Sequence, residues 1–282
     1  MKKPLLFLLS FCYCLTSFGQ TYFYNMQEVS GTWTKKGSPY IIQGEVIVPK
    51  GKTLTIKPEV VVKFNTGENR DYGEEFNLGF LRINGKLIAK GKAGAEILFT
   101  RSGNTGNWGN LFFNSGDAEN VLQYCKIENS FYMRSVVSDD LGTDNGTGAL
   151  SFYRSRGTVK NCLIVNNGWT GINCKQGSAP LIMNCVVFNN KYGIECNSAS
   201  MPKIINTILQ ENETCFFING ESQPQFSYSL LQENELDPSY DRGYNIFGKD
   251  PMFIDKVNND FRLNNLSPAK KAGKDKKNIG AY

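Results

Sequence analysis

The sequence predicts an all-β solenoid, a right-handed parallel β-helix with coils of about 22 residues and capped ends, on three observations. First, four segments nearly repeat one another: Asn161-Cys-Leu-Ile-Val-Asn-Asn167, Asn184-Cys-Val-Val-Phe-Asn-Asn190, Asn206-Thr-Ile-Leu-Gln-Glu-Asn212 and Tyr228-Ser-Leu-Leu-Gln-Glu-Asn234. Their starts lie 23, 22 and 22 residues apart, and Pro180, Pro202 and Pro224 keep the same beat. Second, laid in register these repeats give columns: Leu122, Val159, Ile182, Ile204, Phe226; then Cys125, Cys162, Cys185, Thr207, Ser229; then Ile127, Ile164, Val187, Leu209, Leu231. Third, the apolar runs are short, β-branched and broken by Asn, Gly and Pro, which reads as strands and turns rather than helices.

A period of this length marks units that cannot bury a core alone and stack to make one. The second and third columns are two residues apart and share one face of a strand. The first lies three residues before the second, so a tight bend at Asn161, Asn184 and Asn206 separates two strands. A further strand repeats as Gly171-Ile-Asn-Cys174, Gly193-Ile-Glu-Cys196 and Cys215-Phe-Phe-Ile218. Each coil therefore has three strands and three turns, stacked about 4.8 Å apart with a right-handed crossover. The bend Asn residues can stack their carboxamides as a polar ladder.

Taken in order, residues 1–19 read as a secretory signal. Lys2 and Lys3 precede a mostly apolar run, Leu5 to Leu15, and Ser17 and Gly19 are small residues placed for cleavage before Gln20. The run is too short to span a bilayer. Bulky Phe11 and Tyr13 argue against a lipid anchor on Cys12 or Cys14. The expected location is outside the cytoplasm: extracellular, cell surface or periplasm.

Residues 20–43 are expected to form an irregular N-terminal cap that shields an open sheet end. Coils are expected over 44–249. They begin with Glu45–Val48, Leu54–Ile56 and Val60–Phe64, resume at Phe80–Ile83, Leu87–Ala89 and Ile97–Thr100, and continue through Trp108–Phe113 and Leu122–Asn129. Two insertions interrupt them. One is a charged stretch, 66–77. The other is 130–147, inferred because Cys125 and Cys162 are 37 residues apart rather than 23. Residues 250–282 should pack over the last coil. Leu163, Val186, Ile208 and Leu230 fall between the inward columns and should face outward, so a cover is expected: the C-terminal segment or a partner.

Several of these segments carry a resemblance. Gly31-Thr-Trp33, Ser38-Pro-Tyr40, Val48-Pro-Lys-Gly51, Leu54-Thr-Ile56 and Val62-Lys-Phe64 resemble the opening of secreted bacterial right-handed β-helix repeat proteins. Tyr124-Cys-Lys-Ile-Glu-Asn129 is similar to their coil signature. The end is similar as well: Asp250-Pro-Met-Phe-Ile254, Asn259-Asp-Phe-Arg-Leu263, Ser267-Pro-Ala269, Gly273 and Ile279-Gly-Ala-Tyr282. Glu59 departs from the Gly that usually follows the Pro, which implies a different turn. The resemblance implies the fold and the pectin-lyase-like superfamily. That superfamily holds lyases, glycosidases, epimerases and adhesins, so it does not choose a function.

Composition excludes more than it selects. Removing Lys2 and Lys3 takes the formal charge from +5 to +3, too mild and too dispersed for a nucleic-acid partner. Lys270, Lys271, Lys274, Lys276 and Lys277 cluster near the C-terminus and read as a solvated cap. With no His in the chain, His-based triads, a His general base and Cys/His zinc sites are excluded. Of the six cysteines outside the leader, Cys125, Cys162 and Cys185 fall in one inward column and Cys174 and Cys196 in another; they read as buried thiols, with disulfides the alternative, since stacked neighbours lie at a spacing that disulfide geometry just tolerates. No membrane span is expected.

Loops on a rigid scaffold are where chemistry concentrates. In the second insertion Asp139, Asp140 and Asp144 are the oxygen donors that calcium would want, and no other cofactor is expected. By the superfamily resemblance, a lyase would pair that calcium with a Lys or Arg base: Lys126, Arg134 or Arg154, with Arg156 beside them. A glycosidase needs two facing carboxylates; Glu128 and Glu195 can face outward, while Glu211 and Glu233 share the column of Asn166 and Asn189 and read as turn residues. For binding, Trp169 and Tyr192 follow the Asn turns on adjacent coils, with Tyr132 and Tyr153 expected nearby. Their ring faces suit the apolar CH faces of an extended sugar chain. The leading expectation is a non-catalytic repeat scaffold contacting extracellular polysaccharide or a surface protein. The alternative is a carbohydrate-active enzyme, a calcium-assisted polysaccharide lyase.

Overall fold

The structure, a computed structural model, describes residues 19–66, 78–116, 118–131 and 148–282. The strands fall into three parallel sheets of ten, eight and eight strands, here faces A, B and C, and each coil contributes one strand to each in turn. A middle coil shows the pattern: Leu163–Val165 on face A, Thr170–Lys175 on face B and Leu181–Met183 on face C. Its neighbours pair with it in register on every face.

The expected columns are the core. Leu122, Val159, Ile182, Ile204 and Phe226 are consecutive register partners on face C. Ile127, Ile164, Val187, Leu209 and Leu231 are partners on face A. All ten side chains are fully buried. The bend between the two faces is made by residues in the left-handed region: Asn161, Asn184 and Asn206 at φ 54°, 51° and 51°, with Tyr124 and Tyr228 in the equivalent coils. Asn tolerates this conformation better than most L-residues because its short polar side chain bonds locally.

The small residue after each bend has a hydrogen-bonding reason as well as a steric one. Cys162 and Cys185 Sγ donate to the carbonyls of Lys160 and Met183, each at 3.2 Å. Thr207 and Ser229 hydroxyls make the same bond to Ile205 and Ser227 at 3.0 Å. Thiol and hydroxyl thus interchange in one column because both are small and both can cap the bend carbonyl. All six cysteines of the described residues are free and buried.

At the corner from face A to face B a second ladder is internal. Asn167 Nδ2 donates to Asn190 Oδ1 at 3.0 Å, and Asn190 Nδ2 donates to Asn212 Oδ1 at 2.9 Å. Each backbone N–H also donates to the next carboxamide oxygen, at 3.2 and 3.1 Å. Ser130 N and Gln232 Oε1 extend the column by one coil at either end. A second, outer Asn pair runs beside it, with Asn189 Nδ2 donating to Asn166 Oδ1 at 2.8 Å.

The outward stripe of face A is covered by the chain's own end. Leu163, Val186, Ile208 and Leu230 form a buried cluster with Phe261, Leu263, Ala269, Ile279 and Ala281. Phe188 meets Phe261 edge to face at 5.1 Å, and Asn161 Nδ2 donates to Ala281 O at 3.2 Å. Gly280 sits close on the stripe: it takes φ 105°, a conformation that favours glycine, and a Cβ there would lie 2.9 Å from Ile208 Cδ1.

Two expectations about turns change. The stretch before residue 44 is not irregular: Thr21–Phe23, Gln27–Glu28 and Gly31–Trp33 pair in parallel with the following coil on faces A, B and C. It is a coil in its own right, filled by stacked Phe23, Trp33 and Tyr40 rings, with Trp33 and Tyr40 4.5 Å apart. Its strands of two or three residues are too short to show alternation. Glu59, expected to make a different turn from the usual glycine, instead takes φ 64°, the left-handed region that glycine favours, and pairs with Lys35 at 2.6 Å.

Asn190→Ala breaks the internal ladder on both sides and removes a donor to the Ile164 carbonyl. It is expected to cost about 3 kcal/mol, read as a lower urea midpoint, whereas Asn189→Ala should cost less than about 1 kcal/mol. Phe261→Ala is expected to cost about 3 kcal/mol and to raise binding of an apolar fluorescent dye as the stripe loses cover.

Candidate functional site

The internal Asn ladder sets where the next side chains emerge. One residue or two beyond it the chain leaves the corner and enters face B. On successive coils this places Phe131 beyond Ser130, Trp169 beyond Asn167, and Lys191 with Tyr192 beyond Asn190. The rings touch in sequence. Phe131 and Trp169 lie 6.1 Å apart, Trp169 and Tyr192 6.0 Å, and Tyr192 and Phe217 6.0 Å, with interplanar angles of 74°, 66° and 56°. The row is oblique. Tyr192 is the register partner of Thr170, whereas Phe217 is the partner of Glu195, three positions further along. Gly168 allows the close fit at its start, since a Cβ there would stand 2.5 Å from the Phe131 ring.

Two features separate this row from a flat shelf. The rings alternate edge and face, which is the arrangement their quadrupoles prefer. In addition, the Lys191 ammonium sits 3.7 Å from the Trp169 centroid and 5.8 Å from that of Tyr192. One face of the indole therefore already carries a cation. Trp169 and Tyr192 are half-buried, while Phe217 is exposed.

A polar floor lies beside the row on the outer side of face B. Glu195 accepts from Thr170 Oγ1 at 2.9 Å and from Asn197 Nδ2 at 2.8 Å, one donor to each carboxylate oxygen. Its register neighbours in earlier coils are Asn173 and Ser151, both buried, as is Thr170. Asn173 Nδ2 has no hydrogen-bond partner among the described residues.

The sequence-predicted residues divide clearly. Trp169 and Tyr192 are brought together. Tyr153 is not: it lies five residues beyond Gly148, the partner of Thr170, roughly 16 Å along the strand. It is buried, with its ring 6.2 Å from Phe112. Arg154 stacks on Tyr153 at 5.2 Å and stays at that far end. Lys126 belongs to face A, where it pairs with Glu128 at 2.6 Å and continues the Leu163 column. Lys126 and Arg154 therefore do not converge on one site. Nor do the carboxylates. Glu128 is on face A, Glu211 binds Lys256 of the C-terminal segment, and Glu233 accepts from Cys215 N at 3.3 Å. Tyr132, Arg134, Asp139, Asp140 and Asp144 lie outside the described residues. Among the described residues no group of three Cys, Asp or Glu side chains gathers to hold a metal.

Buried thiols make no nucleophile here. Burial pushes Cys162 and Cys185 well up, and the bond from Cys174 together with burial does the same for Cys196. Cys215 is pushed up to about 12 by burial and, next, by Glu233. The thiolate, the reactive form, is suppressed at neutral pH.

Stacked parallel faces, ladder-forming bends and one aromatic corner define a β-helical solenoid with a side-chain row running across its coils. The chain belongs to the family described as right handed beta helix region, which its residues 87–266 match. No curated protein and no solved structure shows significant similarity to it. No helix among the described residues is long and apolar enough to cross a membrane.

Sequence reasoning missed Lys191, Phe131 and Phe217. A 22-residue alignment of the face B strands would have placed Phe217 in the Glu195 column, the one signal available. In the chain 20–282, iodoacetamide at pH 8 is expected to label none of the six cysteines while native and all six in guanidinium. Rapid native labelling would show that the coils open where they are drawn closed.

Proposed function

We propose that this protein is a secreted, non-catalytic β-helical scaffold that binds an extended polysaccharide along the Phe131–Trp169–Tyr192–Phe217 row. The contact of four aromatic side chains from four successive coils carries this reading. A chain ligand crossing the coils meets one ring per coil, and apolar sugar CH faces suit half-exposed rings. Lys191 makes no ion pair among the described residues. It favours an acidic chain, because a uronate carboxylate can take its ammonium while the sugar ring takes the exposed aromatic faces. The non-catalytic part of the reading rests on Glu195, whose two oxygens are both engaged by neighbouring donors, and on the separation of Lys126 from Arg154. Export follows from the leader-like residues 1–19.

Affinity electrophoresis through gels containing uronate polysaccharides tests the reading. Wild-type chain 20–282 is expected to be retarded, with retardation at least tenfold weaker for Trp169→Ala and for Phe217→Ala. Phe217 is exposed, so its variant separates binding from folding. Equal retardation of wild type and both variants would remove the row as the site. Ultraviolet absorbance of unsaturated products from the same polysaccharides with calcium is expected to stay flat. A rise would move the assignment to the alternative, a calcium-assisted lyase using the loop of Asp139, Asp140 and Asp144.

A further inference from the structure

A second site lies at a different corner. Where face C turns into face A, the column of left-handed bends forms the floor of a cavity of about 290 Å³, and the C-terminal segment forms its wall. Three lysines line it: Lys160 from a face C strand, and Lys274 and Lys277 from the wall. Asp275 is the one carboxylate in the lining. None of the three lysines has an ion-pair partner within 4.0 Å among the described residues.

The wall is held in place rather than draped. Lys274 N donates to Asn206 Oδ1 at 2.7 Å, and Gly280 N donates to Asn206 O at 2.8 Å. Gly273 N closes the loop on Lys277 O at 2.9 Å. Inside it Asp275 and Lys276 adopt φ 59° and 55°, a conformation that non-glycine residues hold only where the surroundings impose it. This loop brings Lys274 and Lys277 to the same cavity that Lys160 lines from the strand side. On the floor, Asn184 Oδ1 accepts from Asn206 Nδ2 at 3.2 Å, and its own Nδ2 makes no hydrogen bond within the described residues.

We propose that this cavity binds an oxyanion, the carboxylate of an acidic sugar or a sulfate group. Three lysines against one aspartate leave the cavity lining with a net positive charge, and an anion there lowers its electrostatic energy. Ammonium groups and a carboxamide NH2 are donors suited to anionic oxygens. The volume suits one small anionic group with its immediate carrier. This site is independent of the aromatic row, which lies at the corner between faces A and B.

Two-dimensional NMR of chain 20–282 tests it, with sodium glucuronate and sodium sulfate titrated separately against sodium chloride at equal ionic strength. Saturable shifts are expected at the Asn184 and Asn206 side-chain amides and the Lys274 N–H for at least one anion, weakening as chloride is raised. Preference for glucuronate would assign the site to a sugar carboxylate, and preference for sulfate to a sulfate group. The Lys274→Gln/Lys277→Gln double variant is expected to bind at least tenfold more weakly. Lys270→Gln/Lys271→Gln, in the same segment but outside the cavity, should bind as wild type. All four lysines are in solvent-exposed or partly exposed positions, so these variants keep the fold. Shifts that chloride alone reproduces, or equal responses from the two double variants, would overturn the proposal.

Discussion

A buried carboxamide that donates to the coil above and accepts from the coil below is the constraint on which this solenoid depends. Asn is small enough for a corner, and its neutral head carries two donors and an acceptor oxygen with two lone pairs. In the Asn167–Asn190–Asn212 column the carboxamide oxygen takes both a side-chain and a backbone N–H, so the corner backbone is satisfied without water. Left unmade, each such group inside the core would cost about 1–3 kcal/mol. The ladder therefore fixes the register of face A against face B more strictly than the aliphatic columns could. Aliphatic packing tolerates a slide; a one-to-one column of hydrogen bonds does not.

That register has consequences on both sides of the corner. Outward, it delivers Phe131, Trp169 and Tyr192 just beyond the corner on successive coils, with Phe217 three positions further along face B, and the rings meet at steep angles. On face A, it aligns Leu163, Val186, Ile208 and Leu230 into an apolar stripe that solvent would not tolerate. The C-terminal segment answers the stripe, and in doing so carries Lys274 and Lys277 to the opposite corner. A single set of internal hydrogen bonds thus reaches the binding row directly and the basic cavity through the segment that covers the stripe.

How far the sequence speaks follows from what repeats. The columns, the bends at Asn161, Asn184 and Asn206, and the outward stripe with its need for cover were all legible, because each recurs at a 22-residue interval with unambiguous polarity. The internal ladder was harder. Asn166 and Asn167 are adjacent and chemically identical, and only the left-handed turn at Asn166 decides that Asn167 points inward. The first coil was missed because strands as short as Gln27–Glu28 carry no alternation. At the site, the contact of Trp169 with Tyr192 could be read from their spacing on adjacent coils. Tyr153 was misplaced because membership of a neighbouring coil says nothing about position along a strand. Lys191 was passed over because a lysine beside a turn reads as solvated until a ring is found beneath its ammonium.

The cover of the stripe also orders events in time. Asn161 and Ala281 are hydrogen-bonded across 120 residues of chain, so the covering segment is synthesised after every coil it covers. Every coil from Leu163 to Leu230 can stack as it emerges, yet its apolar outer face waits for residues 253–281. A nascent chain is thus a nearly complete solenoid with one adhesive side. Until residues 253–281 follow, that side stays bare, and they act less as a lid than as the step that closes the molecule.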